Sequence, residues 1–397
     1  MPKTHRRQLL LHLALAIAGA LCMVAPASAQ TARDQARRMH DRLAGTPPDA
    51  QTLADMEQLI AQARGPEAAE IAMTSESFYT VVLKNLITPW TNEERTVFAP
   101  LNDYTATVIG IIRDERDFRE VLTGDILYVG DASNPAVASV GYSQTDNQHY
   151  EQLEANRVDL SDETLFFRTA QSSQPGSQLT ATDAAGVLTT RAAGMAFFRA
   201  GTNRRMWRFT GINFLCRDME ELKDVSRPAD RIRQDVSRSP GGDSQLFHQQ
   251  CVGCHSGMDP LAGAFAYFEW DADQERVVHT PGQVQGKYLI NSNTFFGGFV
   301  TVDDRWDNFW RSGPNAALGW RGPSGGGFGP RSLGEEVAES RAFSICQVEQ
   351  VFEQVCFRPP RDAIDAAAIE TIADAFEGSG YRMKTVFADV AVHCMGD

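Results

Sequence analysis

Beyond its first 29 residues this 397-residue chain lacks long apolar runs, and it is short of positive charge. It has 37 Lys and Arg against 51 Asp and Glu, which gives a formal net charge of −14. Nucleic-acid binding relies on clustered Lys and Arg that neutralise phosphates, so this balance argues against a nucleic-acid partner. A transmembrane helix needs about 20 consecutive apolar residues, and the rest of the chain does not provide them. We therefore expect neither nucleic-acid binding nor a transmembrane segment in the mature protein.

The first 29 residues have the opposite character, because they contain three basic residues and no acid. An apolar run from Leu9 to Val24 follows the basic start, and the small residues Ala27-Ser28-Ala29 come after it. This order is typical of a secretory signal, so we predict that residues 1–29 are a signal peptide and that the mature protein is periplasmic. Arg6-Arg7 leaves a twin-arginine signal as the alternative. Cleavage would leave 368 residues, a net charge of −17 and six of the seven cysteines.

Helical periodicity marks both ends of the mature chain. Leu53, Met56 and Ile60 recur at three-to-four spacing, and Thr52 with Asp55 is placed like a capping box. The tail repeats this spacing on three predicted helical faces, which are Ile345, Val348, Phe352 and Val355; Ile369, Ile372 and Phe376; and Met383, Phe387, Val390 and Cys394. These patterns predict helical packing layers and carry no catalytic chemistry of their own.

The middle of the chain is mixed. Thr91 with Glu94 predicts the start of a further helix, while Ile126–Val129 and Leu165–Arg168 are predicted to be short strands. The glycine-rich run Gly322–Gly329 lacks the Lys-Ser/Thr of a phosphate-binding loop, so we interpret it as a surface loop.

A basic and aromatic segment precedes the cysteine-rich part of the chain. Arg204, Arg205 and Arg208 alternate here with Trp207 and Phe209. Such a segment predicts either an anion site or a helix with an arginine-rich solvent face, and the second interpretation is the simpler one.

The strongest chemical signal is the run Cys251-Val252-Gly253-Cys254-His255. Two thiols at this spacing can each add to a vinyl group of the same haem, and the adjacent histidine then lies under the iron as an axial ligand. We therefore predict one covalent haem c, with Cys251 and Cys254 as thioether anchors and His255 as the metal ligand. Haem is attached after translocation, which favours export of an unfolded chain over the twin-arginine route.

Three other interpretations of this motif are weaker. A thiol redox pair would be expected in a thioredoxin-like strand–helix pattern, which the sequence does not have. A zinc site would need a second pair of ligands at short spacing, and the remaining Cys and His do not supply one. A chance structural disulfide between Cys251 and Cys254 is the third alternative.

The four remaining mature cysteines, Cys216, Cys346, Cys356 and Cys394, are an even set for an oxidising compartment. If Cys346 to Cys356 is one continuous helix, the two residues are separated by about 15 Å of rise, too far for a disulfide. We therefore predict that Cys346 and Cys356 bond to Cys216 and Cys394 in an order that the sequence leaves open.

The sixth iron position is also left open by the sequence. Met258 and His248 are nearest to His255, but on a continuing helix they share its side of the haem and do not reach the other. The more distant candidates are Met219, His279, Met383, His393 and Met395.

The haem motif and its surroundings resemble a known family. Arg204 to Asp271, which includes Met258-Asp259-Pro260-Leu261 directly after the motif, resembles the planctomycete-type cytochrome c domains of otherwise unknown function. Phe343 to Tyr381 and Asp117 to Gly130 resemble the helical domains that commonly flank them. The resemblance implies haem binding and electron transfer through Cys251, Cys254 and His255, and it implies no substrate. Ala262 to Asp271 departs from the family pattern, which puts the contacts at the haem edge in doubt.

These observations predict a mainly α protein in which a cytochrome c-like haem region lies between helical domains, with few short strands. The predicted regions are the signal peptide 1–29, an N-terminal helical region 30–135, a mixed connecting region 136–235, a haem c-binding region 236–340 and a C-terminal helical region 341–397. The predicted function is one-electron transfer, with a redox partner whose basic face matches the acidic chain. The alternatives are a haem enzyme with an open distal site, peroxidase- or oxygenase-like, or a haem subunit of a larger redox complex.

Overall fold

Helices form most of the described chain, as the sequence predicted, and the strands are few and short. The computed structural model describes residues 31–199 and 201–396, so the predicted signal peptide 1–29 lies outside the described residues. The longer α-helices are α1 (Ala32–Ala44), α2 (Ala50–Ala61), α3 (Gly65–Met73), α4 (Asp103–Arg113), α5 (Gln148–Ala155), α6 (Arg191–Phe197), α7 (Arg204–Leu215), α8 (Val252–Ala262), α9 (Gly329–Ala338), α10 (Arg341–Cys356), α11 (Ala363–Gly378) and α12 (Met383–Cys394). Within those described ranges, none of the helices combines the length and the apolar character that crossing a membrane requires.

The strands form antiparallel pairs. They are β1 (Leu127–Gly130) with β2 (Phe166–Thr169), β3 (Phe268–Asp271) with β4 (Arg276–His279), and β5 (Arg305–Asp307) with β6 (Gly326–Phe328). Strands β1 and β2 each begin one residue after the predicted strands. Strand β6 lies in the glycine-rich run that was predicted to be a loop, so that prediction was wrong there. A Cβ on Gly327 would lie 3.2 Å from the ring of Trp306, so a glycine lets β6 approach this buried indole.

The predicted start of α2 was wrong. The helix begins at Ala50 because the carboxylate of Asp49 accepts hydrogen bonds from the backbone N–H groups of Gln51 and Thr52. Thr52 therefore lies inside the first turn, and no capping box forms with Asp55. Asp is as favourable as Thr at the N-cap position directly before a helix. Asp49 and Thr52 are therefore both suitable N-cap residues within one short segment, and the structure uses Asp49.

The predicted helix from Thr91 was also wrong, since α4 begins only at Asp103. The side chain of Asn102 accepts a hydrogen bond from the N–H of Thr105, which caps this helix. Upstream, the Asn92 side chain accepts from the N–H of Thr96 at 2.9 Å and donates to its carbonyl at 3.0 Å. These bonds hold a turn where the sequence pattern predicted helix.

The first and last helices pack together in one continuous core. Apart from a small separate cluster beside Cys251, the buried apolar side chains from α1 to α12 form one main cluster, which includes residues of all four mature regions predicted above. Phe78 packs edge-to-face on Phe387 of α12 at 5.1 Å between ring centroids. A Cβ on Gly65 would lie 2.7 Å from Val392, so α3 approaches α12 closely. The N-terminal and C-terminal helical regions therefore stabilise one another.

Two disulfides confirm the predicted exclusion of a bond between Cys346 and Cys356. Cys216 bonds to Cys346, and Cys356 bonds to Cys394. Helix α10 runs without a break through Cys346 and Cys356, so the rise between them keeps the two thiols apart as expected. The first bond attaches the end of α7 to α10, and the second attaches α10 to α12.

Removal of either disulfide should lower the free energy of unfolding. The bonds join residues 130 and 38 positions apart. In the chain-entropy model both closures are long enough to contribute about 3–5 kcal/mol, the longer loop more than the shorter. Urea unfolding of the C216S/C346S and C356S/C394S variants measures both effects. A non-reducing peptide map that joined Cys346 to Cys356 would contradict the assignment.

Acid should weaken the fold through His149, which is buried in α5. Its Nε2 accepts a hydrogen bond from the N–H of Gly130 at 2.9 Å, and its Nδ1 bonds to the carbonyl of Val140 at 2.8 Å. This arrangement needs a neutral ring, and burial lowers the pKa of His149. Because the unfolded chain then binds more protons, the free energy of unfolding should fall as the pH drops below about 6.5.

Unfolding by urea between pH 8 and pH 5 measures this loss. His149→Gln should flatten the dependence on pH, whereas His248→Gln, at an exposed position, should leave it as it is. An unchanged slope in His149→Gln would show that other groups account for the acid sensitivity.

Candidate functional site

The motif lies where a tight turn runs into helix α8. A short turn Ser244–Leu246, capped by the side chain of Asp243, continues as a π-helical turn Phe247–Cys251. Helix α8 follows at once, so Cys251 stands directly before its first residue and Cys254 and His255 lie in its first turns. Both thiols and the imidazole are therefore presented from one helix end.

The two thiols of the motif are free, whereas Cys216, Cys346, Cys356 and Cys394 are paired. Both are partly buried. Cys251 packs against a small apolar cluster made of Ile232, Val236, Phe247 and Val252. Cys254 packs instead against the main core, and its Sγ lies 3.5 Å from the carbonyl oxygen of Met219. Burial raises the pKa of the Cys254 thiol.

The ring of His255 is held from one side only. Its Nδ1 lies 3.0 Å from Oδ1 of Asp259, one helical turn later on α8. The carboxylate accepts, so the proton is assigned to Nδ1 and the lone pair to Nε2. The His255 side chain is 22% exposed, while that of Asp259 is fully buried. This tautomer leaves Nε2 to bind a metal.

Asp259 itself is held by two arginines. Arg204, the first residue of α7, donates from Nε at 2.6 Å and from Nη2 at 2.8 Å, one bond to each carboxylate oxygen. The backbone N–H of Arg233 lies 3.2 Å from Oδ2, and its guanidinium lies 3.2 Å from the Asp259 carbonyl oxygen. Burial alone would raise the pKa of Asp259, but these two cations hold it well below its usual range.

A second carboxylate completes the cluster. Asp235 accepts two hydrogen bonds from Arg204, at 2.6 and 2.9 Å. The predicted anion site or solvent face is therefore wrong for Arg204, whose side chain lies between two carboxylates. Arg205 and Arg208 do lie on the outer face of α7, where they pair with Glu93 and Asp218.

The sequence pattern did not identify Asp259 as part of the site. The signal that was present is the spacing of four residues between His255 and Asp259, which places both side chains on one face of a helix. Arg204 lies 55 residues before Asp259, and Asp235 lies 31 residues after Arg204. Because these separations are long, no local sequence pattern could have predicted the contacts of Arg204.

Two of the histidines predicted as candidates for the sixth ligand make ring contacts elsewhere in the fold. His279 stacks on Phe268 in the β3–β4 pair. His393 bonds through Nε2 to Asp365 at 2.9 Å. The methyl group of Met219 approaches Gly211 in α7. The others are the buried Met258 on α8, the buried Met383 on α12, Met395 at the end of α12, and His248, which is exposed. The sixth ligand stays open.

The residues present fit a covalently bound haem. Two unpaired thiols at the required spacing precede a histidine whose Nδ1 already has a partner, so Nε2 can take the iron. Comparison of the chain with protein-family models, curated proteins and solved structures finds no match. The side chains themselves are therefore the basis on which this site is assigned.

Helix α8 needs a glycine where it meets a buried indole. A Cβ on Gly257 would lie 2.1 Å from Nε1 of Trp310. Gly257→Ala should therefore lower the free energy of unfolding by about 2 kcal/mol, because one of two packed elements must move. Gly378→Ala is the matched control, since that helical glycine in α11 faces open space. Thermal unfolding compares the two variants, and equal effects would contradict the contact.

Proposed function

We propose that this protein is a periplasmic mono-haem c-type cytochrome that transfers one electron at a time. Cys251 and Cys254 form thioethers to the haem, and Nε2 of His255 binds the iron. The bound haem supplies the one-electron chemistry. The observation that carries the proposal is the pair of unpaired thiols beside a histidine whose Nδ1 already bonds to Asp259. No catalytic residue is assigned.

The state of the cysteines supports a haem over a structural disulfide. The other four cysteines of the described chain are all paired, as expected in an oxidising compartment. Two neighbouring thiols that stay free in such a compartment need another use. Thioether formation supplies that use, and it accounts for the histidine that follows directly.

The family and the partner belong to the same proposal. The resemblance to the planctomycete-type cytochrome c domains rests on the motif together with Met258-Asp259-Pro260-Leu261. The predicted charge of −17 for residues 30–397 favours a redox partner with a basic docking face. Attraction between exposed charges is screened by salt, so docking should weaken as ionic strength rises.

A haem enzyme with an open sixth position is the second candidate, and one observation favours it. The two distant histidines that could serve as ligands already have ring contacts: His279 stacks on Phe268, and Nε2 of His393 bonds to Asp365. If they keep these contacts, peroxide, oxygen or another small molecule has access to the iron.

Covalent haem is the first outcome to test. The full chain, exported by a bacterial host with a working haem-attachment system, should carry one haem that survives denaturation. C251S/C254S should lose all covalent haem, and His255→Ala should lose the native visible spectrum. His248→Ala is the matched control for attachment, because this exposed histidine lies seven residues earlier and should leave the covalent haem in place. Wild-type protein without covalent haem would refute the proposal.

Carbon monoxide separates the carrier from the enzyme. A carrier with a sixth protein ligand should be low-spin when reduced, and its spectrum should not change on addition of carbon monoxide. An open site should be high-spin and should bind the gas with a large spectral shift. Absorption spectra of the reduced holoprotein, recorded before and after addition, decide between the two.

A further inference from the structure

We propose that Asp259 is a positioning residue for the haem iron: it fixes the ring of His255 and lowers the reduction potential. The inference rests on the proposed function, since it concerns a haem bound through His255. It goes further by assigning a role to a buried charge cluster that neither the motif nor the resemblance explains. The cluster consists of Arg204, Arg233, Asp235 and Asp259.

The carboxylate of Asp259 is held in place by several donors, so it determines the orientation of the His255 imidazole. Asp259 lies on the same helix as His255, and three hydrogen bonds from Arg204 and Arg233 hold its oxygens in addition to the one from the ring. Those donors come from the start of α7 and from the segment 230–238. The carboxylate therefore cannot turn to follow the ring, so the ring must align with the carboxylate.

The cluster is balanced in charge. Two arginines face two carboxylates, and the side chains of Arg204, Asp235 and Asp259 are 19%, 14% and 0% exposed. Arg204 donates to both carboxylate oxygens of Asp259, and the ring of His255 donates to the same buried carboxylate. The hydrogen bond from the ring therefore goes to a charge-assisted acceptor that water screens little.

This hydrogen bond acts on the iron through the ring. A carboxylate that accepts from Nδ1 draws the N–H proton toward itself and makes Nε2 a stronger donor. A stronger donor stabilises Fe(III) relative to Fe(II). With the haem bound, one electron from a donor protein would reduce Fe(III) to Fe(II) and would then pass to an acceptor protein, and no bond in this protein would be made or broken. The reduced state is therefore disfavoured, and the potential falls.

Asp235 provides a matched control in the same cluster. Asp259→Asn and Asp235→Asn each remove one negative charge and one carboxylate that pairs with Arg204. Only Asp259 contacts His255. A purely electrostatic or structural role of the cluster predicts similar effects of the two variants, whereas positioning through the ring predicts an effect of Asp259→Asn alone.

The experiment is a spectroelectrochemical titration of the holoproteins. The second readout is the Fe–His stretching band of the reduced haem, measured by nuclear resonance vibrational spectroscopy of ⁵⁷Fe so that it is accessible with or without a sixth ligand. Asp259→Asn should favour the reduced state at least tenfold, an upward shift of about 59 mV for one electron, and should lower the Fe–His frequency. Asp235→Asn should shift the equilibrium less than threefold and leave the band in place. Equal shifts in both variants, or no shift in Asp259→Asn, would overturn the inference.

Two outcomes remain interpretable if folding or haem attachment fails. If Asp259→Asn does not fold, Asp259→Glu keeps the charge but displaces the carboxylate by one methylene group. A lowered Fe–His frequency in that variant supports positioning, and an unchanged band and potential overturn it. A wild-type chain without haem refutes the proposed function itself, whereas a haem-loaded wild type that matches its Asp259 variants refutes only this inference.

Discussion

The geometry of the Cys251–His255 motif depends on one buried group, the carboxylate of Asp259. It accepts hydrogen bonds from His255 on its own helix, from Arg204 at the start of α7 and from the backbone of Arg233. An ion removed from water is stable only among such partners, and loss of one partner of a buried pair costs about 3–5 kcal/mol. Because the partners come from separate parts of the chain, the charge that holds the imidazole also determines how α7, α8 and the segment 230–238 meet.

The motif also stands at a boundary between two apolar cores. Cys254 packs against the main core, whereas Cys251 packs against the small apolar cluster around Phe247. Under the proposed function a haem bonded to both cysteines would join the two. The small cluster has few members, so it gains little stability from burial of its own side chains. A covalent cofactor at the edge of this small cluster would add apolar contact area to it, and the thioethers would then have a structural role besides attachment.

The sequence was informative wherever the decisive contacts were local. Apolar spacing predicted the tail helices, and helical rise excluded a bond between Cys346 and Cys356. The failures came from competition between nearby polar residues: Asp49 caps α2 in place of the predicted Thr52–Asp55 box, and Asn92 holds a turn where a helix was predicted. The arginine contacts of Asp259 could not be predicted from the sequence, for a different reason. Arg204 was placed on a helix correctly, but its partners lie 31 and 55 residues away, and periodicity carries no information at that separation.

Under the proposed function, the contacts that hold His255 would suit an electron carrier and a haem enzyme alike. A ring that Asp259 holds in one orientation suits electron transfer, because the iron then changes its surroundings little between oxidation states. The same electron-rich ligand also suits an iron that activates a bound small molecule. The distinction lies on the other axial side, where His279 and His393 would have to leave Phe268 and Asp365 before they could bind the iron. An open position would not exclude electron transfer, since electrons can pass through the haem edge. An open sixth position would only allow small molecules to bind and react at the iron. The carrier and the enzyme would therefore contain the same bound group and would differ in whether small molecules can reach it.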